Sequence, residues 1–140
     1  MKKSFTLIEI LVVATIIGLL AAASTISYSQ LSKQSRDARR KTDLEQIRSA
    51  LEMYCSNNDQ YPTTITINCS SVGGIIDGSG VIYLSSIPKD PKCNIYSYYY
   101  FSSDGTDYTL GAYLESGGTN CGGSCGSATC NYCLGPLGKK

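Results

Sequence analysis

One apolar stretch, Phe5 to Ala23, limits what this chain can fold into. It contains a single charged residue, Glu9. As a helix rising ~1.5 Å per residue, the stretch spans roughly 28 Å, close to the ~30 Å hydrocarbon core of a bilayer. A carboxylate inside such a segment costs about 2.5 to 3.5 kcal/mol at mid-helix, and somewhat less near the end, unless it meets a partner. We therefore expect a membrane-spanning helix in which Glu9 makes a specific contact.

Two simpler interpretations compete with this one. A secretory signal peptide also begins with basic residues, and Ala21-Ala22-Ala23-Ser24 imitates its cleavage site, but its apolar core is shorter and uncharged. A plain membrane anchor with an incidental Glu9 is the other alternative. The length of the run and the charge inside it favour a functional segment.

The sequence KKSFTLIEILVVATIIGLLAAA resembles the N-terminus of the type IV pilin superfamily, which includes the pilins and the pseudopilins of type II secretion. The resemblance implies that a prepilin peptidase cuts between Ser4 and Phe5 and that the new Phe5 amine is methylated. It also implies that Glu9 pairs with the N-terminal amine of a neighbouring subunit during assembly. Ser4 stands where the family usually has Gly.

The implied organisation is a leader at residues 1–4, a transmembrane and assembly helix at 5–25, and an exported head at 26–140 that includes an amphipathic helix half. Before assembly the chain would cross the inner (cytoplasmic) membrane once with its head outside the cytoplasm. Afterwards it would belong to a cell-surface pilus or a periplasmic pseudopilus.

Composition argues against an enzyme. The chain has no His, which removes the commonest general base and the commonest metal ligand. We therefore expect no catalytic residues and no cofactor. Loss of Lys2 and Lys3 with the leader lowers the formal charge of +1 by two, to −1, which is too close to neutral for a generally basic nucleic-acid binder.

The second half of the helix is predicted to be amphipathic. Its apolar stripe recurs at helical spacing, and Ser56-Asn57-Asn58-Asp59 predicts an end near Cys55; the stripe comprises Leu44, Ile47, Leu51 and Tyr54. The charges between Arg36 and Glu52 are predicted on the other faces, with Asp37 and Lys41 as an i, i+4 pair.

A basic cluster lies on this helix, at Arg36, Arg39, Arg40 and Lys41. Acidic residues alternate with it and no aromatic residue lies within it, so a solvated or filament-facing surface is favoured over DNA contact. A membrane-surface role is the remaining alternative.

A β-hairpin is predicted from Tyr96–Phe101 and Tyr108–Leu114, joined by a turn at 102–106. Residues 57–94 before it read as a connection with short apolar pieces. One face of the second strand is apolar and is predicted to cover the helix stripe, giving an α+β fold; that face comprises Tyr108, Leu110, Ala112 and Leu114. The hairpin tyrosines are interpreted as packing partners, with a binding platform as the alternative.

A weaker resemblance extends to this region. Pro88, Asp90 and Pro91 match a Pro-x-Asp-Pro turn that precedes a Tyr-rich hairpin in pseudopilins. In the major pseudopilins a following loop binds calcium. The corresponding residues here, Ser116 to Cys121, lack the acidic side chains that calcium needs, so we expect no metal.

Seven cysteines are the other strong signal: Cys55, Cys69, Cys93, Cys121, Cys125, Cys130 and Cys133. In an exported head they are disulfide candidates, with connectivity left open. The glycine-rich tail, 117–138, requires such links because it cannot bury a core of its own. Metal binding is an alternative, since the last three cysteines match an iron–sulfur spacing without its fourth ligand. Thiol chemistry at Cys130 and Cys133 is another.

Together these features predict a structural subunit of a type IV pilus-like or pseudopilus filament. Its partners would be further copies in a helical homo-oligomer, other minor pilins, the prepilin peptidase and the membrane. The alternative from another class is a monomeric, membrane-anchored extracytoplasmic module whose Cys-rich tail has metal or thiol chemistry. The sequence leaves open which filament system the chain would serve.

Overall fold

The computed structural model of the protein describes residues 5–70 and 73–140. One long helix, α1, covers Leu7–Asn58, and six short strands follow it. They are β1 Ile75–Ile76, β2 Ile82–Leu84, β3 Tyr99–Phe101, β4 Thr109–Ala112, β5 Tyr132–Gly135 and β6 Gly138–Lys139. The chain divides into two compact units between Ser35 and Arg36. From here on, the head means the compact unit Arg36–Lys140, rather than the exported region 26–140 expected from the sequence.

Helix α1 ends within the predicted stop sequence. The Asp59 N–H donates to the Cys55 carbonyl at 2.8 Å, and the Asn58 side-chain amide donates to the Tyr54 carbonyl at 3.0 Å. Asp59 then adopts a positive φ of 58°, a conformation that Asp tolerates better than most residues. The Asp59 N–H thus satisfies one of the four carbonyls that the last turn leaves without a partner inside the helix, and the chain leaves the helical path at Asp59.

The four-stranded antiparallel sheet has the order β3-β4-β5-β6. The predicted hairpin is confirmed as β3 and β4, although both strands are shorter than expected; Tyr100 lies opposite Leu110. Strands β5 and β6 come from the cysteine-rich tail and were not predicted. Their glycine and cysteine residues obscure the alternation of apolar and polar side chains that indicates a strand. A separate two-stranded sheet, β1-β2, lies in the connection, where short apolar pieces were noted.

The core of the head lies between the helix stripe and β4, as predicted. Leu44, Ile47 and Leu51 are fully buried, and they share one cluster with Tyr108 and Leu110. Burying each aliphatic side chain of this size stabilises a fold by about 1.5 to 3 kcal/mol. The helix stripe and one face of the hairpin therefore form the α+β core.

The interpretation of the basic cluster as a solvated or filament-facing surface does not hold for all of its residues. Arg40 is 0% exposed and Asp37 is 4% exposed. Asp37 pairs with Arg40 at i, i+3 rather than with Lys41. The reason is that two loops from later in the chain cover this helix face and bring their own charged and polar groups to it.

The hairpin tyrosines pack and donate hydrogen bonds inside the head. The Tyr98 hydroxyl donates to Asp43 at 2.6 Å, and the Tyr108 hydroxyl donates to Glu52 at 3.1 Å. Tyr61, which lies before the hairpin, donates to the same Glu52 carboxylate at 2.9 Å. Burial is the main cause that raises the pKa of the Tyr98 hydroxyl well above its usual range, and the neighbouring Asp43 adds to it. These contacts support the packing interpretation of the tyrosines.

Candidate assembly site

The first part of α1 exposes an apolar surface on every side. Phe5 is 78% exposed and Leu7 is 83% exposed, and the large apolar side chains that follow, up to Leu20, are 47% exposed or more. The helix is long and apolar enough to cross a membrane, and no residue of its most apolar window is buried within the chain. So much exposed apolar surface needs lipid or other helices around it.

Glu9 has a local partner that the sequence interpretation missed. The Thr6 N–H and hydroxyl both donate to Glu9 Oε2 at 2.8 Å, and the Glu9 N–H approaches Thr6 Oγ1 at 3.4 Å. Because α1 begins at Leu7, Thr6 is the N-cap and Glu9 is the third helical residue, the arrangement of a capping box. The Thr-x-x-Glu spacing before an apolar run was the available signal.

This capping box fixes the Glu9 carboxylate at the start of the helix. Two shallow, mainly apolar grooves of about 410 and 350 Å³ flank it. Phe5, Glu9 and Val13 line both of them. Once lipid or other helices cover this apolar surface, a cation reaching Glu9 would meet a carboxylate surrounded by hydrocarbon, where its charge is poorly screened.

The structure places the other N-terminal candidates only in part. Phe5 is the first described residue and is exposed, so its amine would be open to a neighbour once the leader is removed. Ser4, on the other side of the expected cleavage point, lies outside the described residues. Cleavage and methylation therefore stay predictions.

A buried charge cluster anchors the helix to the rest of the head. Arg40 donates from Nε and Nη2 to the two carboxylate oxygens of Asp90, at 2.7 and 3.0 Å. Its Nη1 donates to Asp37 at 2.9 Å and to Glu115 at 3.1 Å. A guanidinium suits such a site because its fork of donors matches several carboxylates at once.

Glu115 joins this cluster to two more cations. Arg36 donates to both of its oxygens at 2.7 Å, and Lys92 donates at 2.8 Å. These bonds, that of Arg36 first, hold the pKa of the Glu115 carboxyl well below its usual range although burial opposes them. Three segments distant in sequence are thereby joined: the helix, the loop after the Pro-x-Asp-Pro turn, and the loop after β4.

Asp37 has a second role in the same cluster. Its carboxylate accepts the backbone N–H groups of Glu115 and Ser116 at 2.9 and 2.8 Å. Burial favours the neutral form of Asp37, but these N–H groups and Arg40 outweigh that effect and lower the pKa of its carboxyl. The loop that follows β4 is thus bound to the helix by backbone as well as side-chain contacts.

Three disulfides form in the head: Cys69–Cys93, Cys121–Cys133 and Cys125–Cys130. The last two close the tail on itself and confirm that disulfides staple the C-terminal region. Cys125, Cys130 and Cys133 are buried together beside β4, and a Cβ at Gly111 would lie 3.0 Å from the Cys130 sulfur. A larger residue at position 111 would therefore require the bridged cysteines to shift by a few tenths of an ångström. Cys55 is the free cysteine.

The tail is held by polar contacts as well. The Asn131 side chain accepts the Leu114 N–H at 2.6 Å and donates to the Leu114 carbonyl at 3.0 Å. The side-chain amide of Asn131 thus forms the two hydrogen bonds that a neighbouring strand would form with Leu114, just beyond the end of β4. It fixes the tail beside the loop that carries Glu115.

The geometry does not favour metal or thiol chemistry in the tail. Cys130 and Cys133, whose spacing suggested a redox pair, bond to different cysteines rather than to each other. Each of them belongs to a separate structural bridge. Within residues 5–70 and 73–140, no group of three acidic, histidine or cysteine side chains could hold a metal ion.

Comparison with known proteins agrees with this picture. Residues 1–25 match the prokaryotic N-terminal methylation motif, and residues 28–126 match type II secretion system protein G. The chain is 34% identical over 131 residues to the type II secretion system core protein G of Pseudomonas aeruginosa, covering 85% of this chain and 89% of that protein. The Vibrio cholerae protein of the same name is 31% identical over 135 residues, covering 90% and 91%.

A type IV pilin matches the chain over a shorter length. The type IV major pilin protein PilA of Myxococcus xanthus is 34% identical over 60 residues, covering 43% of this chain and 27% of that protein. No solved structure matches the chain significantly. The match to the protein G model covers most of the sequence, and two relatives above 30% identity extend over nearly the whole of it. The chain therefore belongs to the type II secretion system protein G family.

Proposed function

We propose that this chain is a structural subunit of a type II secretion pseudopilus, a filament built by bundling of N-terminal helices. The observation that carries the proposal is the exposed apolar start of α1, which has one carboxylate, Glu9, placed by a capping box. Family membership favours the secretion filament over the other pilus systems. The head contributes shape and contacts, and no catalytic role is assigned to it.

The proposed maturation follows from the N-terminal motif. A prepilin peptidase removes residues 1–4 by cutting between Ser4 and Phe5, and the Phe5 amine is methylated. Residues 5–25 hold the subunit in the inner membrane, and residues 26–140 lie outside the cytoplasm. Further copies and minor pilins then join the subunit in the filament.

Glu9 would direct the assembly step. In the filament its carboxylate faces the Phe5 amine of a neighbour within packed apolar helices. Removal of one member of such a buried ion pair typically costs about 3 to 5 kcal/mol, because the other charge is left without compensation. By comparison, loss of a helix cap costs about 0.5 to 2 kcal/mol.

Three variants separate these two effects in the full-length protein. Glu9→Gln keeps a side chain that can complete the capping box but removes the charge, while Thr6→Ala weakens the box and keeps the charge. Glu9→Ala removes both functions of the side chain. Subunit abundance in membranes and the yield of sheared filaments are measured together for each variant.

We expect all three variants to reach the membrane at normal levels, since none of them makes the helix more polar than the wild type. Filaments should be lost in both Glu9 variants and retained with Thr6→Ala. Normal filament yield from Glu9→Gln would refute the assembly role of the charge. A monomeric anchored module instead predicts no filaments from the wild type and membrane levels that do not depend on Glu9.

A further inference from the structure

Two loops bring carboxylates from outside the helix to Arg40, and each of them lies beside a disulfide bridge. Asp90 lies just before Cys93, which is bridged to Cys69. Glu115 lies beside the cysteine-rich tail, which the other two bridges close on itself. The buried charge cluster therefore depends on segments that are held in place by disulfides.

The tail is linked to the loop that carries Glu115 through one side chain, that of Asn131. The Asn131 backbone N–H donates to the Ala112 carbonyl at 3.1 Å, and its side-chain amide holds both the N–H and the carbonyl of Leu114. A Cβ at Gly118 would collide with the Asn131 carbonyl, so the loop passes directly against the tail. Because Leu114 immediately precedes Glu115, Asn131 fixes the point from which Glu115 reaches the helix.

A second link joins the tail to the aromatic ring that covers Arg40. Two backbone hydrogen bonds, of 3.3 and 3.0 Å, connect residues 95–97 with residues 125–127 of the tail. Tyr96 lies in the first of these segments, and its ring stacks on Tyr113 with the centroids 4.7 Å apart. The Arg40 guanidinium lies over the same Tyr96 ring, 5.5 Å from its centroid. The tail thus supports the cluster from two sides.

The bridges supply most of what orders the tail. Residues 115–131 contain no aromatic side chain and no aliphatic side chain larger than alanine. The buried members of the small cluster that the tail forms are themselves bridged cysteines: Cys125, Cys130 and Cys133. With its cysteines as thiols, the tail would have to offset the entropy of ordering a glycine-rich loop with few apolar contacts. Its closed conformation therefore depends on oxidation.

We propose that the tail is a redox-dependent clamp on the buried charge cluster. Oxidation of its four cysteines closes the loop that carries Glu115 onto α1 through Asn131, and reduction releases that loop while the helix stripe and β4 stay packed. The coupling concerns the head alone and is independent of filament assembly. Only the compartment rests on the proposed function, because a head outside the cytoplasm meets oxidising conditions and a cytoplasmic one does not.

The exchange reaction enters the clamp at Cys121. Its side chain is half-buried, whereas Cys125, Cys130 and Cys133 are 0 to 1% exposed. A dithiol reductant attacks the Cys121 sulfur, the Cys133 thiolate leaves and takes up a proton, and the second thiol of the reductant then forms its own disulfide and releases Cys121 as a thiol. Two electrons and two protons thus pass from the dithiol to the bridge. Oxidation by a disulfide-bearing oxidant runs the same exchange in reverse.

Digestion of the full-length protein with a glutamyl endopeptidase, in mild detergent, tests the clamp. The Glu115 side chain is 8% exposed, and the N–H of the peptide bond to be cut, that of Ser116, donates to Asp37 at 2.8 Å. Cleavage after Glu115 therefore requires the loop to leave the helix. Glu45 and Glu52, within α1, report unfolding of the whole head in the same digest. Mass spectrometry measures the fragments and the bridges at increasing dithiothreitol concentrations.

We expect reduction of the tail to speed cleavage after Glu115 by about tenfold or more, at dithiothreitol concentrations that leave Glu45 and Glu52 uncut. Cleavage at all three sites over the same concentration range would overturn the clamp, because the head would then simply unfold on reduction. An uncut Glu115 in protein whose tail is fully reduced would overturn it as well.

Paired cysteine variants make the same comparison without a reductant. Cys121→Ala with Cys133→Ala removes the accessible tail bridge, and we expect it to expose Glu115 to cleavage. Cys69→Ala with Cys93→Ala is the matched control, because it removes a bridge outside the tail, and cleavage after Glu115 should stay within about twofold of the wild type. Equal exposure of Glu115 in the two variants would show general destabilisation and overturn the clamp.

Asn131→Ala tests the route of the coupling. This variant keeps the tail cysteines and removes the side chain that holds Leu114. We expect Glu115 to become cleavable although peptide mapping finds both tail bridges intact. Protection equal to that of the wild type would overturn the clamp through Asn131. None of these digests involves filaments, so the clamp can fail while the proposed function stands.

Discussion

Replacement of Arg40 by alanine tests whether the buried charge cluster holds the head together. Arg40 is 0% exposed and donates four hydrogen bonds to three carboxylates. Arg40→Ala leaves Asp90, itself 4% exposed, without its only ion-pair partner within residues 5–70 and 73–140, and weakens the support of Asp37. Breaking a buried pair in this way destabilises a protein by about 3 to 5 kcal/mol.

The assay is urea unfolding of the full chain in mild detergent, followed by the near-ultraviolet signal of its tyrosines. With an m-value of about 2 kcal/mol per molar urea, a loss of 3 to 5 kcal/mol lowers the midpoint by roughly 2 M. Arg48→Ala is the matched control. The Arg48–Glu45 pair is exposed, so its loss should cost about 1 kcal/mol or less.

A second variant separates the lost charge from the lost volume. Arg40→Met with Asp90→Asn removes the pair together, keeps apolar bulk at 40, and leaves an amide oxygen at 90 to accept the Lys92 N–H. Replacing both members of a buried pair is often far less costly than removing one. If Arg40→Ala shifts the midpoint no more than Arg48→Ala does, the cluster does not support the fold as argued.

Further outcomes follow from the same contacts. Hydrogen bonds lower the pKa values of Asp37 and Glu115 below their unfolded values of 3.8 and 4.5. The stabilisation from these two carboxylates is therefore present above about pH 4.5 and is lost as the pH falls below it. Urea midpoints measured between pH 3 and 7 should fall only at the acid end, and a flat profile would contradict the pKa argument. Peptide mapping without reduction should find the three bridges of the structure and a free thiol at Cys55. Four free thiols in the tail, or stoichiometric zinc or iron, would instead support the anchored module.

Local patterns predicted much of the fold. Helical spacing identified the stripe from Leu44 to Tyr54, and alternation identified the face of β4 that covers it. Both signals depend only on residues close together in sequence. The capping box at Thr6 and Glu9 was available in the same way, through its Thr-x-x-Glu spacing.

The buried charges could not be predicted by such patterns. Arg40 and Asp37 look like an ordinary solvated helix face until Asp90 and Glu115, 50 and 75 residues from Arg40, fold over them. Strands β5 and β6 were missed for a related reason. Tyr132 and Leu134 alternate for too short a distance to signal a strand, and β5 is defined by pairing with β4 and by its bridged cysteines.

Imaging of sheared filaments, together with intact-mass measurement of the subunits in them, tests the central claim most directly. The account predicts filaments made of this chain, with each subunit beginning at a singly methylated Phe5 and carrying three disulfides. Subunits that begin at Met1 or Ser24, or a chain that remains monomeric in the membrane while the filament system assembles without it, would contradict the account.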